Sequence, residues 1–222
     1  MSQTEGLTKQ RKALLSQTEG LTKQRKVLLS HVAITYLHLT GALALTAVSS
    51  ERTLIPGGTL IAAILIFVLL FLLGSAKPGP YKYFLFATFS ILIGQLLAPQ
   101  VESLEAKGQL REVLASVAGI FLAMTVVGFV DNGLLGFGGY LMAALIGFIV
   151  ARLILIVVKL GDPTADITKT NTILNWVGTA LFAVFVAYDT QVLKHRRNTD
   201  YVDASLGLFL DFINLFTLQS DS

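Results

Sequence analysis

The chain has 222 residues, 54% of them hydrophobic and only 14% charged, with a formal net charge of +3. Soluble domains carry about 25% charged residues, so this composition excludes an ordinary soluble domain and points to an integral membrane protein. No cysteine is present, which excludes disulfides, thiol catalysis and thiolate metal sites.

The first 29 residues form a duplicated basic arm. SQTEGLTKQRKALL (2–15) is followed at once by SQTEGLTKQRKVLL (16–29), and the copies differ only at Ala13 and Val27. Leu7, Leu14, Leu21 and Leu28 recur every seven residues, a thin apolar stripe for a helix lying on lipid. One leucine per heptad favours a solvated, disordered cytosolic arm over residues 1–29, ahead of a membrane domain over 30–222. The arm lacks the apolar core of a signal peptide.

Seven runs approach the roughly 20 apolar residues needed to cross a bilayer. They are His31 to Val48, Leu54 to Leu73 with Pro56 near its start, Tyr83 to Ala98 ending at Pro99, and Val113 to Val130 followed by the turn Asp131-Asn132-Gly133. The rest are Leu134 to Leu160, Ile173 to Asp189, and Tyr201 to Leu218. They lack period-two alternation, so the expected fold class is an all-α membrane protein of seven transmembrane helices.

Orientation follows the lysines and arginines. Lys9, Arg11, Lys12, Lys23, Arg25, Lys26, Lys77, Lys82, Lys194, Arg196 and Arg197 fall on one side, against Arg52, Lys107, Arg111, Lys159 and Lys169 on the other. This places the N-terminus in the cytosol and the C-terminus across the membrane. The basic balance reflects topology, and nucleic acid is not an expected partner.

Two aspartates stand out. Asp211 interrupts the apolar run LGLFLDFINLF (206–216). An intramembrane carboxylate is costly and normally faces the bundle interior or a water path. Helical spacing puts Ala204, Gly207, Leu208, Asn214 and Leu218 on its face. The small Ala204 and Gly207 allow close helix approach, and Asn214 offers polar support. Asp189 ends the sixth run, before the basic stretch KHRR (194–197). A short loop should make the last two helices neighbours, with Asp211 roughly 15 Å along the seventh. Two carboxylates at low dielectric cannot both ionise cheaply, so such a pair would share a proton and sense pH. Ionised, it would offer hard oxygen ligands suited to calcium.

YDTQ (188–191), the basic loop, and DYVDASLGLFLDFINLF (200–216) together resemble the signature of the Bax inhibitor motif family of membrane proteins, with GQLLAP (94–99) similar in type. The resemblance runs from about His31 to the end of the chain. It implies two three-helix layers around a central C-terminal helix. It also implies a pH-sensitive calcium leak through a paired aspartate site near the cytosolic end, matching Asp189 and Asp211. Calcium would be cargo, with no resident cofactor. In eukaryotic members the leak is tied to resistance to cell death. The location implied is endomembrane in a eukaryotic or viral setting and the plasma membrane in a prokaryote, with the bilayer and other membrane proteins as partners.

The chain departs from the family in three places. Bacterial members carry an arginine cluster after the second helix, where this chain has GSAKPGPYK (74–82) with Lys77 as the nearest substitute. The tail, TLQSDS, lacks the basic end of many eukaryotic members. The duplicated arm has no counterpart.

Lys77 and Arg152 are candidate counter-charges to the pair. Arg152 could equally snorkel to the far interface. His31 and His38 share a face but lack a third ligand, and Glu102, Glu105 and Glu112 read as a solvated loop face. GLLGFGGY (133–140) follows no strand, so close helix packing accounts for it better than a phosphate loop. No HExxH motif or Ser/His set supports an enzyme. Two rivals to the leak are a non-conducting membrane regulator acting by protein contacts and a proton-coupled cation exchanger.

The orientation is directly testable. Cysteines placed singly at Lys23 and at His195 in this cysteine-free chain should react with an impermeant reagent from the same face of sealed vesicles. Reaction from opposite faces would exclude the topology.

Overall fold

A computed structural model of the chain describes residues 2–51, 59–130, 133–195 and 200–221, with side chains described from Leu14 onward except at 24–25 and 59–61. Regular structure among these residues is all helical. The order is α1 (Ser2–Ser50), α2 (Thr59–Ser75), α3 (Pro80–Ala106), α4 (Leu110–Phe129), a 3-10 turn (Leu134–Phe137), α5 (Gly138–Gly161), α6 (Thr168–His195) and α7 (Tyr201–Ser220). Six stretches are long and apolar enough to cross a membrane, and α2 adds the shorter apolar stretch Ala62–Ser75. Of the sequence features above, Pro56, Arg52, the Asp131-Asn132 turn, Arg196 and Arg197 lie outside the described residues, as do the side chains of Lys9, Arg11, Lys12 and Arg25.

The expected spans and the helices coincide in order and differ at their ends. Residues 2–29 are helical and continuous with the first span, and the described side chains from Leu14 to Ser30 are exposed except for the half-buried Leu28. The third span does not stop at Pro99, which lies inside α3. Proline removes one backbone hydrogen bond from a helix interior. Beyond it, Leu104 is buried and Gln100 bonds to Ser220 and to Asp221, at 3.0 Å to the latter. Those tertiary contacts hold α3 through the break.

Helix directions follow from the cross-contacts. Lys82 meets Asp200 and Gln100 meets Asp221, so α3 and α7 run parallel. Thr35 O accepts from Ser205 Oγ at 2.9 Å and the His31 ring lies tilted against Tyr201, so α1 runs with them. Asp189 faces Gly207 while Gly178 meets Leu218, so α6 and α7 are antiparallel. Phe121 against Phe212 and Ser116 against Gln219 make α4 antiparallel to α7 as well. The alternation is that of a chain threading back and forth through one layer of solvent.

The core lies along α7, which touches α1, α3, α4 and α6. Leu208, Phe209 and Leu215 are fully buried there, and Phe209 is met edge-on by Phe86 and Phe89 of α3. α2 lies against α3, and α5 lies against α6. The outer helices present apolar surface: Phe67 and Phe71 of α2 are each 74% exposed, and α5 has no buried residue. In water that surface would drive aggregation, whereas in a bilayer it is the natural lipid-facing side.

Glycines set the tightest crossings. A Cβ at Gly94 would strike Ser49 and Thr46 of α1, and one at Gly128 would strike Ala187 O and Thr190 of α6. Small residues let helix backbones approach where lipid offers no hydrophobic drive. Gly128→Ala should therefore destabilise by about 1–3 kcal/mol, because the obstructing atom is a backbone oxygen that cannot rotate away. Gly119→Ala, whose Cβ would meet nothing within 4 Å, should leave the protein as stable as wild type. Thermal melts in detergent compare the two.

Candidate functional site

The last two helices bring the aspartates together. α6 runs on to His195, so Asp189 sits six residues, roughly 9 Å, before its end. Asp211 lies in the middle of α7. Because the helices are antiparallel, Asp189 lies beside Gly207, one turn before Asp211. A Cβ at Gly207 would fall against Asp189 Oδ2, so the missing side chain is the space the carboxylate occupies.

Asp211 is 5% exposed, and its Oδ2 is buried without a hydrogen-bond partner. Asp189 is half-buried. Its neighbour Thr190 is fully buried, and Thr190 Oγ1 lies 3.5 Å from Tyr36 Oη, which also donates to Thr125 Oγ1 at 3.4 Å. Hydroxyls from α1, α4 and α6 thus meet at the level of Thr190.

The other candidates fall elsewhere. Asn214 does not reach Asp211: its Nδ2 donates to Leu210 O at 2.8 Å, back along its own helix. Arg152 is not a counter-charge to the pair. Its guanidinium donates to Asn171 Oδ1 at 2.7 Å and to Asn175 Oδ1, and lies over the Phe148 ring. Asn175 is fourteen residues from Asp189, so Arg152 lies about 20 Å away along α6. A desolvated guanidinium takes the nearest carbonyl oxygens, and those belong to the start of α6. Lys77 is exposed between α2 and α3.

The buried cation is Lys82. It is 2% exposed, and its Nζ pairs with Asp200 Oδ2 at 2.9 Å and Asp203 Oδ1 at 2.6 Å. Sequence reasoning counted it as a loop cation because it follows Pro78 and Pro80. The available signal was Asp200 and Asp203, three residues apart at the opposite helix start. Asp200 also caps α7, its Oδ1 accepting from Val202 N at 3.2 Å. The histidines flank one aromatic ring, that of Tyr201. His31 is buried against Tyr201 at 4.9 Å, and His38 stacks on Tyr83 at 5.1 Å while its Nδ1 meets Ile34 O at 2.7 Å. Among the described residues no group of three or more His, Asp or Glu could hold a metal.

The α5–α6 loop carries two more carboxylates. The Thr164 hydroxyl and N–H, at 2.6 and 2.9 Å, hold Asp162 below the usual carboxylate range. The Thr168 N–H at 3.1 Å does the same for Asp166. Both therefore stay ionised through neutral pH and contribute no sensor there.

Close-packed apolar helices of this length define a multi-pass membrane protein. The sequence matches the family described as Inhibitor of apoptosis-promoting Bax1 over residues 28–218, and the chain belongs to that family. It is 31% identical to Bax inhibitor 1 of Schizosaccharomyces pombe over 157 residues, covering 68% of this chain and 56% of the relative. It is 29% identical to the inner membrane protein YbhL of Escherichia coli K12 over 173 residues, covering 72% and 70%. A protein of Helicobacter pylori 26695 is 32% identical over 145 residues, covering 64% of this chain and 60% of the relative, so the match spans under two thirds of that protein's length.

The contact at Gly207 yields a coupled prediction. Gly207→Ala should cost about 1–3 kcal/mol of stability, since its Cβ takes the place of the Asp189 carboxylate. With Asp189→Ala the obstruction is gone, and the same glycine change should cost much less. A double-mutant cycle from detergent melts measures the coupling, and simple additivity would mean that the two residues do not share this space.

Proposed function

We propose that the chain is a calcium leak pathway of its membrane, controlled by a proton shared between Asp189 and Asp211. One observation carries the reading: Asp211 Oδ2 is buried without a partner while a second carboxylate occupies the adjacent notch at Gly207. A purely structural polar residue would be hydrogen-bonded. The family match supports the same reading.

Calcium is cargo here. It takes six to eight oxygens when held firmly, and two carboxylates offer at most four. A pair of this kind suits passage better than storage. A cavity of about 360 Å³ supports a route on the far half of α7. Leu97, Phe212, Ile213 and Phe216 line it together with Glu51 and Glu105, both exposed. The lining is mostly apolar, and Phe212, the residue after Asp211, belongs to it.

Three finer features belong to the proposal. The helices form two three-helix layers, α1–α3 and α4–α6, with α7 between them. The N-terminus is cytosolic, which puts the Asp189 end of α6 on that side. The leak serves suppression of cell death where the host has such a pathway, and no enzymatic step is involved.

Calcium flux into liposomes holding only this protein, measured across pH, tests the reading. Asp189→Asn and Asp211→Asn should each flatten the pH dependence while the protein still folds. Asparagine keeps the shape and hydrogen-bonding capacity but does not titrate near neutral pH. The double variant should resemble either single one, because both break one unit. Retention of the wild-type profile by either single variant would make Asp211 a packing residue and favour the regulator. Flux that follows an imposed proton gradient would favour the exchanger.

A further inference from the structure

The first turn of α7 is tied by three contacts. Lys82 of α3 pairs with Asp200 and Asp203 at 2.9 and 2.6 Å. Ser205 Oγ donates to Thr35 O of α1 at 2.9 Å. The Tyr201 ring lies against His31 at 4.9 Å and His38 at 6.3 Å. Only the first contact is charged. Lys82 and Asp200 have side chains 3% and 9% exposed, so each is desolvated and depends on the other. Removing one member of a buried ion pair leaves a charge without compensation, so a helix held this way cannot shift cheaply.

Distance along α7 gives this anchor a consequence. Gly207 lies one turn beyond Asp203, about 6 Å, and Asp211 lies two turns beyond, about 12 Å. Asp189 reaches α7 only through the notch at Gly207, where any larger side chain would collide with its carboxylate. A slide along the axis would take Gly207 out of level with Asp189, and a one-residue screw displacement, about 1.5 Å and 100°, would put Leu206 or Leu208 at that notch. The register of α7 therefore decides whether the two carboxylates face each other.

We propose that Lys82 is the positioning residue of the aspartate pair: its ion pairs with Asp200 and Asp203 fix α7 along its axis and so set Gly207 and Asp211 opposite Asp189. Lys82 touches neither aspartate of the pair and acts only through α7. The gating part of this inference rests on the calcium reading above. The placement of α7 does not.

The deciding variant is Lys82→Met/Asp200→Asn/Asp203→Asn. It removes the cluster without stranding a buried charge, and asparagine in place of Asp200 can still cap the helix. Asp203→Asn alone keeps one of the two ion pairs. Ser205→Ala removes a neutral tie at the same level and serves as the comparison. Each is measured by calcium flux across pH in liposomes and by hydrogen exchange over residues 201–210. The neutral triple variant should lose the pH dependence, as Asp211→Asn does, with exchange about tenfold faster over that segment. Asp203→Asn should fall between it and wild type, and Ser205→Ala should keep the wild-type profile. Wild-type flux and exchange in the triple variant would overturn the proposal, as would an equal effect of Ser205→Ala, which marks a generic structural tie. If the wild-type protein shows no pH-dependent flux, the calcium reading fails separately. The exchange comparison then decides alone, and unchanged exchange over 201–210 rejects Lys82 as the anchor of α7.

Discussion

Placing an aspartate at the centre of a membrane helix costs about 2.5–3.5 kcal/mol on insertion scales, and in this bundle Asp211 carries that cost at 5% exposure. Much of the architecture is the setting that makes it bearable. α7 is enclosed by four helices rather than exposed to lipid. Its phenylalanines face α3 and α4, which leaves a polar strip toward α6. Gly207 opens that strip at the level where Asp189 arrives. A second carboxylate at that level adds to the cost of ionising the first, and on the proposed reading a common proton would be the cheaper state.

The two ends of the bundle handle desolvated charge differently. At the start of α7, one ammonium meets two carboxylates in a buried ion pair. At the other end, Arg152 meets neutral amide oxygens, and Asn175 in turn donates to Asp221 O at 3.0 Å. Lysine works as a point charge between two acids that approach from different directions, whereas the planar guanidinium fork suits the paired Asn171 and Asn175, four residues apart on one helix face. Neither cation neutralises the aspartate pair, so the pair has no permanent counter-charge among the described interactions. That separation is what would leave a proton, or a passing cation, to supply the compensation.

The helices were legible because lipid removes alternatives: apolar runs of this length can only be helices, and their order fixes the alternation of direction. That α6 and α7 would be antiparallel neighbours was legible too, and the small Gly207 marks where the Asp189 side chain meets α7. Pro99 misled, because its local cost is outweighed by contacts to a helix more than a hundred residues later. Lys82 was missed for a similar reason. In sequence it is a cation in a proline-rich turn, and only the parallel approach of α3 and α7 brings two acids to it. Asn214 and Arg152 were assigned by proximity in depth and polarity, yet each found a nearer oxygen. A local backbone carbonyl or amide competes well with a distant carboxylate when no water is present.

These placements bear on how the site could work. α7 is held near both ends by polar ties, through Lys82 at its start and through Gln100 and Asn175 near Asp221 at its finish. Its middle is clamped by aromatic rings from α3 and α4. Between the two ends, Asp211 is left with a buried oxygen that no group among the described residues satisfies. A helix so fixed resists sliding. On the proposed reading, control by protonation would therefore need no preceding rearrangement of the bundle: repulsion between two ionised carboxylates would act first on the Asp189 side chain, which the absence of a Cβ at Gly207 admits to that position.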